Sequence, residues 1–343
     1  MIQITALEPW QDPRGGQIER VQLDNGIIAI EILSLGGIIR QLSTADSLGK
    51  HENIVLGCDS IEDYLSQQAY LGAIAGRYSN RIANGQLQFQ GQSYQLDVNQ
   101  ATNCLHGGAD GFHLKQWHMQ AIEDGVRLTV TSPDGEMGFP GNCEVQLDYR
   151  LDGNNLLIDM QAKVDKACPI SLTQHSYFNL EGANSKTNTQ HQIQVDAQQY
   201  LPMNDVGVPI GINSVTGSDL DLSQTTSFAV QTERAVLSAT NGFDHCYVLN
   251  NDDEIVRFGS ISAPASGRTM TIYTNQPGVQ VYGANFLEGA VGFNGEVYQS
   301  HQAICIEPQM LPDSPNQPEL PGEPWIPAGG TYHHSSRYEF GIL

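Results

Sequence analysis

VQLDYRLDGNNLLIDMQAKV, residues 145–164, carries the fold class. Val145, Leu147 and Tyr149 alternate with Gln146 and Asp148, and beyond LDGNN at 151–155 the alternation resumes from Leu156 to Val164. Successive side chains of an extended strand point to opposite faces, so a period of two marks a strand with one buried and one wet face. Gly and Asn between two such runs supply the turn, and the whole reads as a hairpin.

The same period recurs outward from that hairpin. It is present at 126–130, at 87–96 on either side of Gly91-Gln92, at 270–274 and at 279–282, while 27–32 is rich in β-branched residues. Helical signal is confined to SIEDYLSQ at 60–67, with Ser60 as its cap. Thirty-five glycines and 16 prolines supply the turns between short strands. That pattern means an all-β sandwich or barrel. No repeat, low-complexity segment or composition shift marks a boundary, so residues 1–343 are expected to form one domain, with 308–327 as a long loop.

Net charge is −22, from 38 acidic and 16 basic residues. Nucleic-acid binding draws on clustered Lys and Arg, so a phosphate-backbone partner is excluded. No apolar run reaches the length of a membrane span, and the start, MIQIT, has neither the basic nor the apolar part of a signal peptide. Six cysteines without a C-x-x-C pair read as reduced, buried thiols of a cytoplasmic protein.

Five segments put polar groups among small or apolar residues, where each needs a partner or a task. GRYSNRIANG at 76–85 offers Asn80 and Arg81, whose fixed fork of donors suits vicinal hydroxyls; an arginine tying loops by their carbonyls fits the pattern equally. His106 precedes two glycines, as a ligand contact or a plain turn residue does. His175 lies in TQHSYFNL, either a proton-transfer group or a hydrogen-bonded core histidine. Asp244 in GFDH is a hydroxyl acceptor or a turn residue. Glu307 follows the apolar 303–306 and precedes Pro308, so it is expected at the end of a buried strand, as a tuned carboxyl or merely the first exposed residue. No H-E-x-x-H, clustered Cys/His, G-x-S-x-G or phosphate loop is present, and His333-His334 reads as surface loop.

In order along the chain these segments resemble the galactose mutarotase (aldose 1-epimerase) family. GRYSNRIANG, NCLHGG followed by Trp117, QHSYFNLEG, FDHCYVLN, QPGVQVYGANF, IEPQ and the closing Tyr338-Glu339-Phe340 carry the resemblance over nearly the whole length. It implies a large single-domain antiparallel β-sandwich with an open sugar-binding cleft. It also implies interconversion of the α and β anomers of free aldohexoses such as galactose and glucose, with Glu307 as base and His175 as acid. Asn80, Arg81, His106, Asp244 and Gln280 match sugar-binding positions, with Gln276 a second candidate beside Gln280. No cofactor or metal is implied, and the assembly is left open between monomer and homodimer. Trp117 and Tyr177 could stack on a sugar, though core packing suits both.

The chain departs from the family pattern at Gln174, where Asn is common, at Pro308, where Thr is common, and through 109–116. Pro308 removes a backbone N–H and restricts Glu307. The other readings are a glycoside hydrolase using Glu307 and Asp244, and a sugar-binding module without activity; the latter has no use for an acid–base pair.

Overall fold

Every strand pair in the computed structural model, which describes residues 2–251 and 253–343, is antiparallel. The hairpin of 145–164 is present as Cys143–Asp152 and Asn155–Val164, joined through Gly153-Asn154, with Gly153 at φ 55°. It lies near the middle of a nine-stranded sheet. Beside it run Thr331–Ile342 and Arg268–Thr274, on which buried and half-exposed residues alternate almost without interruption. Alternation makes one face of this sheet apolar, and that face is the floor of the core.

Two five-stranded sheets cover it. One runs from Gln3–Gln11 to His51–Asn53; the other holds Asp244–Val248, Gly278–Tyr282 and Cys305–Gln309. Contacts between the layers are specific. Tyr149 donates its hydroxyl to Gly37 O at 2.8 Å, Tyr338 donates to Ile306 O at 3.0 Å, and Tyr338 stacks on Phe178. A tyrosine in such a core needs a carbonyl for its hydroxyl, and each of these finds one in the opposite layer. The architecture is a sandwich of antiparallel sheets, as expected from the sequence.

The short helix forms at Ile61–Ser66, with Ser60 Oγ accepting from the Asp63 backbone N–H. Two expectations need correction. His333 and His334 are not in a loop: they lie in Thr331–Ile342, and the period of two exposes His333 while burying His334 between Leu172 O and Ser336 Oγ. Glu307 is not at the end of its strand. Cys305–Gln309 continues through Pro308.

Pro308 is tolerated because that strand is the last of its sheet. Gln280 pairs with Glu307, while the N–H groups of Ile304 and Met310 turn outward, to Phe178 O and Ser171 Oγ. Residue 308 has the same parity as 304 and 310. The N–H that proline lacks would have faced away from the ladder, so no strand pairing is lost.

Leu147 is fully buried and faces Gly37 in the covering sheet. Leu147→Ala is expected to cost about 2–5 kcal/mol, as other buried leucine truncations do, read as a lower urea midpoint at unchanged slope.

Candidate active site

Three adjacent strands of the second covering sheet present their acids and amide on one face. Gln280 stands opposite Glu307 on one side and Cys246 on the other, and Asp244 lies two residues from Cys246. Gln280 Nε2 donates to Asp244 Oδ1 at 2.5 Å, which fixes that carboxylate. Facing them, His175 leaves the strand Thr173–Gln174, with its own N–H on Ala73 O and its carbonyl accepting from Gly72 N. His175 Nε2 comes to 3.5 Å from Glu307 Oε2. An open cleft over the pair is also lined by Tyr70, Asn80, Arg81, His106, Tyr177 and Gln280.

The two arginines of GRYSNR divide between the two readings of the motif. Arg77 is buried and donates to Ser132 Oγ and to the carbonyls of Ser132, Pro133, Pro140 and Gly141: it ties loops. Arg81 reaches into the cleft, with Nε on Gln100 Oε1 at 2.8 Å and Nη2 at 3.9 Å from Asp244. Asn80 Oδ1 accepts from the Arg81 backbone N–H and holds the turn.

His106 is also in the cleft, but the glycines behind it serve packing rather than ligand approach. A Cβ on Gly107 would fall 1.9 Å from Gly76 O. His106 Nδ1 accepts the Asn80 backbone N–H at 3.2 Å, which places the ring proton on Nε2 and makes that nitrogen a donor.

Gln276, the second amide candidate, is absent from the cleft. It is buried in the core, accepting from Tyr332 Oη and donating to His333 O. Trp117 is likewise core, with Nε1 on Phe112 O. Tyr177 lines the cleft but stacks on His175, ring centroids 5.1 Å apart.

Gln174 takes on a definite task. Its amide donates to Gly72 O at 2.8 Å and accepts from Ser176 N at 2.9 Å, stitching the His175 segment to the 70–73 turn. Sequence reasoning missed Tyr70, whose ring lies 4.6 Å from His106 and 6.0 Å from His175. No motif marks it, and its place depends on a turn after the helix. His113, within the unusual 109–116 segment, packs on the same ring at 4.5 Å.

Burial dominates the electrostatics. It pushes His175 down to about 4 and holds His106 well below the usual histidine range. Burial pushes Glu307 well above the usual carboxylate range; the nearby Asp244 charge adds to that, and Arg81 opposes it. Both members of the pair are therefore driven toward their uncharged forms.

Among the described residues, donor atoms of His106, His175 and Glu307 approach within 4.8 Å of one another, a spacing compatible with a metal. The tautomer of His106 argues otherwise, since its lone pair is committed to Asn80 N–H. The donor set is better matched to hydroxyl groups.

A sandwich whose cleft sets an imidazole against a carboxyl, ringed by hydrogen-bonding side chains, is suited to proton transfer on a polar molecule. The family model described as aldose 1-epimerase matches residues 19–339. Galactose mutarotase of Homo sapiens is 38% identical over 330 residues, covering 96% of this chain and 95% of its own. Aldose 1-epimerase of Escherichia coli K12 is 34% identical over 327 residues, covering 92% and 93%. A solved GalM/aldose epimerase homologue from C. elegans superposes with a TM-score of 0.84 at 26% identity, covering 93% of this chain and 97% of that one. The chain belongs to the aldose 1-epimerase family. It is an isomerase with mutarotase activity.

The two arginines give a clean contrast. Arg77→Ala leaves buried carbonyls unpaired and is expected to cost about 3 kcal/mol in a urea titration. Arg81→Ala, which removes one hydrogen bond and a long ion pair, should cost less, about 1 kcal/mol, yet raise KM in a polarimetric assay.

Proposed function

We propose that the chain equilibrates the α and β anomers of free galactose and glucose, with Glu307 as base and His175 as acid. The observation that supports this most is the buried pair at 3.5 Å at the base of an open cleft. Opening a cyclic hemiacetal removes a proton from the C1 hydroxyl and adds one to the ring oxygen. Those oxygens share one carbon, so acid and base must converge within a few ångströms.

In the resting pair one proton is shared, since burial favours the neutral forms of both groups. Sugar hydroxyls and Arg81 around Glu307 stabilise its carboxylate as substrate binds and draw that proton onto His175. Glu307 then takes the C1 hydroxyl proton while His175 protonates the ring oxygen. The aldehyde turns about C1–C2, and reclosure on its other face with the transfers reversed gives the other anomer. His106 Nε2–H donates to oxygens that gain negative charge. Asn80, Arg81, Asp244 and Gln280 hold the remaining hydroxyls, and their pairing sets specificity. No step requires a cofactor or metal.

A glycoside hydrolase reading is not favoured, because Asp244 is held by Gln280 and Arg81 as an acceptor rather than left to activate water. Among the described residues, no helix is long and apolar enough to cross a membrane.

Polarimetry on freshly dissolved α-D-galactose and α-D-glucose tests the assignment. Glu307→Gln and His175→Asn should each lower kcat by about 10²–10⁴-fold; either variant at wild-type rate would sink the pair. The pH profile of kcat/KM should be bell-shaped around the singly protonated pair. As pH falls through about 4, His175 gains a second proton for the pair and the base is lost. As pH rises past the elevated Glu307 value, the shared proton leaves and the acid is lost. Full activity should therefore persist well below 6.5, the ordinary histidine value.

A further inference from the structure

We infer that Tyr70 is a positioning residue of this site: its ring roofs the imidazoles of His106 and His175 against the mouth of the cleft and holds His175 in the attitude that proton transfer requires. This rests on the reading of His175 and Glu307 as the acid–base pair.

A catalytic imidazole is commonly oriented by a hydrogen bond to its second nitrogen. His175 lacks that device, since its buried Nδ1 finds no partner on another residue. What fixes the ring is aromatic contact. Tyr177 stacks on it at 5.1 Å and 25°, Tyr70 at 6.0 Å and 26°, and Tyr282 and His106 meet it edge-on. Of the two stacked tyrosines, Tyr177 is buried, while Tyr70 is only partly buried, on the cleft wall.

The backbone that carries Tyr70 is built to hold it there. Tyr70 has φ 55°, a left-handed conformation that a tyrosine rarely adopts, so its placement is imposed by surrounding contacts. Ala73 N closes the turn on Tyr70 O at 3.0 Å, and the next two bonds, Gly72 N to His175 O and His175 N to Ala73 O, join turn and imidazole in one backbone unit. Asn99 accepts from Leu105 N and donates to Leu105 O, which fixes the backbone just before His106. His113 backs the Tyr70 ring at 4.5 Å. One side chain thus spans the two segments that carry the cleft histidines.

Around His175 stand the carboxyls of Glu307 and Asp244, the Arg81 guanidinium, the imidazoles of His106 and His113, the phenols of Tyr70, Tyr177 and Tyr282, and the Cys305 thiol behind Glu307. All of the charged groups belong to other residues, so replacing Tyr70 removes none of them. Only the water excluded by its ring returns, which raises the proton affinity of His175 toward its ordinary value.

Tyr70→Phe, Tyr70→Leu and Tyr70→Ala in the full chain test the proposal. Phe should keep kcat within about threefold and leave the pH profile in place. Ala should lower kcat at least tenfold with little change in KM, and its acid limb should move upward from near 4. Leu, which preserves apolar bulk should Ala prove poorly folded, should fall between them. A direct NMR titration of the His175 imidazole in the sugar-free protein should follow the same order. An unmoved His175 titration and unchanged kcat in the Ala and Leu variants would overturn the proposal, as would equal losses in Phe and Ala, which assign the effect to the hydroxyl. If His175→Asn retained activity, the acid assignment would fail, and the NMR order alone would decide whether Tyr70 shields the ring.

Discussion

Glu307 lies in the middle of a strand, 2% exposed, with an imidazole at 3.5 Å. Taking a carboxylate out of water costs several kcal/mol unless charge or hydrogen bonds replace the lost hydration. Here the expense is lowered by sharing: carboxyl and imidazole can both be uncharged with one proton between them. Much of the surrounding structure keeps that arrangement in place. The 70–73 turn grips the His175 segment, Gln174 stitches them together, and the ladder from Asp244 through Gln280 sets the carboxyl's depth.

The chain's strong negative charge bears on this cleft in a graded way. Asp244 raises the proton affinity of Glu307, and Arg81 lowers it. Asp244 is itself engaged by Gln280 and approached by Arg81. An uncharged polyol can enter such a place without ion exchange, while an anionic sugar would meet two carboxyls and a single guanidinium.

The fold class could be read from the hairpin at 145–164, because a period of two survives wherever one face of a sheet is wet. The proposed pair and the Arg81, His106, Asp244 and Gln280 set, which the structure brings to one cleft, could be read only as an ordered group, since each motif alone has a structural use. Arg77 demonstrates that use within the same decapeptide as Arg81. What stayed hidden depends on long-range geometry. Pro308 looks disruptive until the strand proves to be an edge with its bare nitrogen turned outward. His334 looks exposed until its strand is paired. Tyr70 carries no local signal, because contacts after a short helix decide its position.

All six cysteines are free and buried, and Cys305 sits two residues before Glu307. Burial raises their thiols above the ordinary range, so little thiolate is available at neutral pH. Oxidants and alkylating agents meet no ready thiolate while the sandwich is closed. Modification must await an opening of the layers, which turns these residues into an internal clock: the rate at which thiols become reactive measures how often the sheets part.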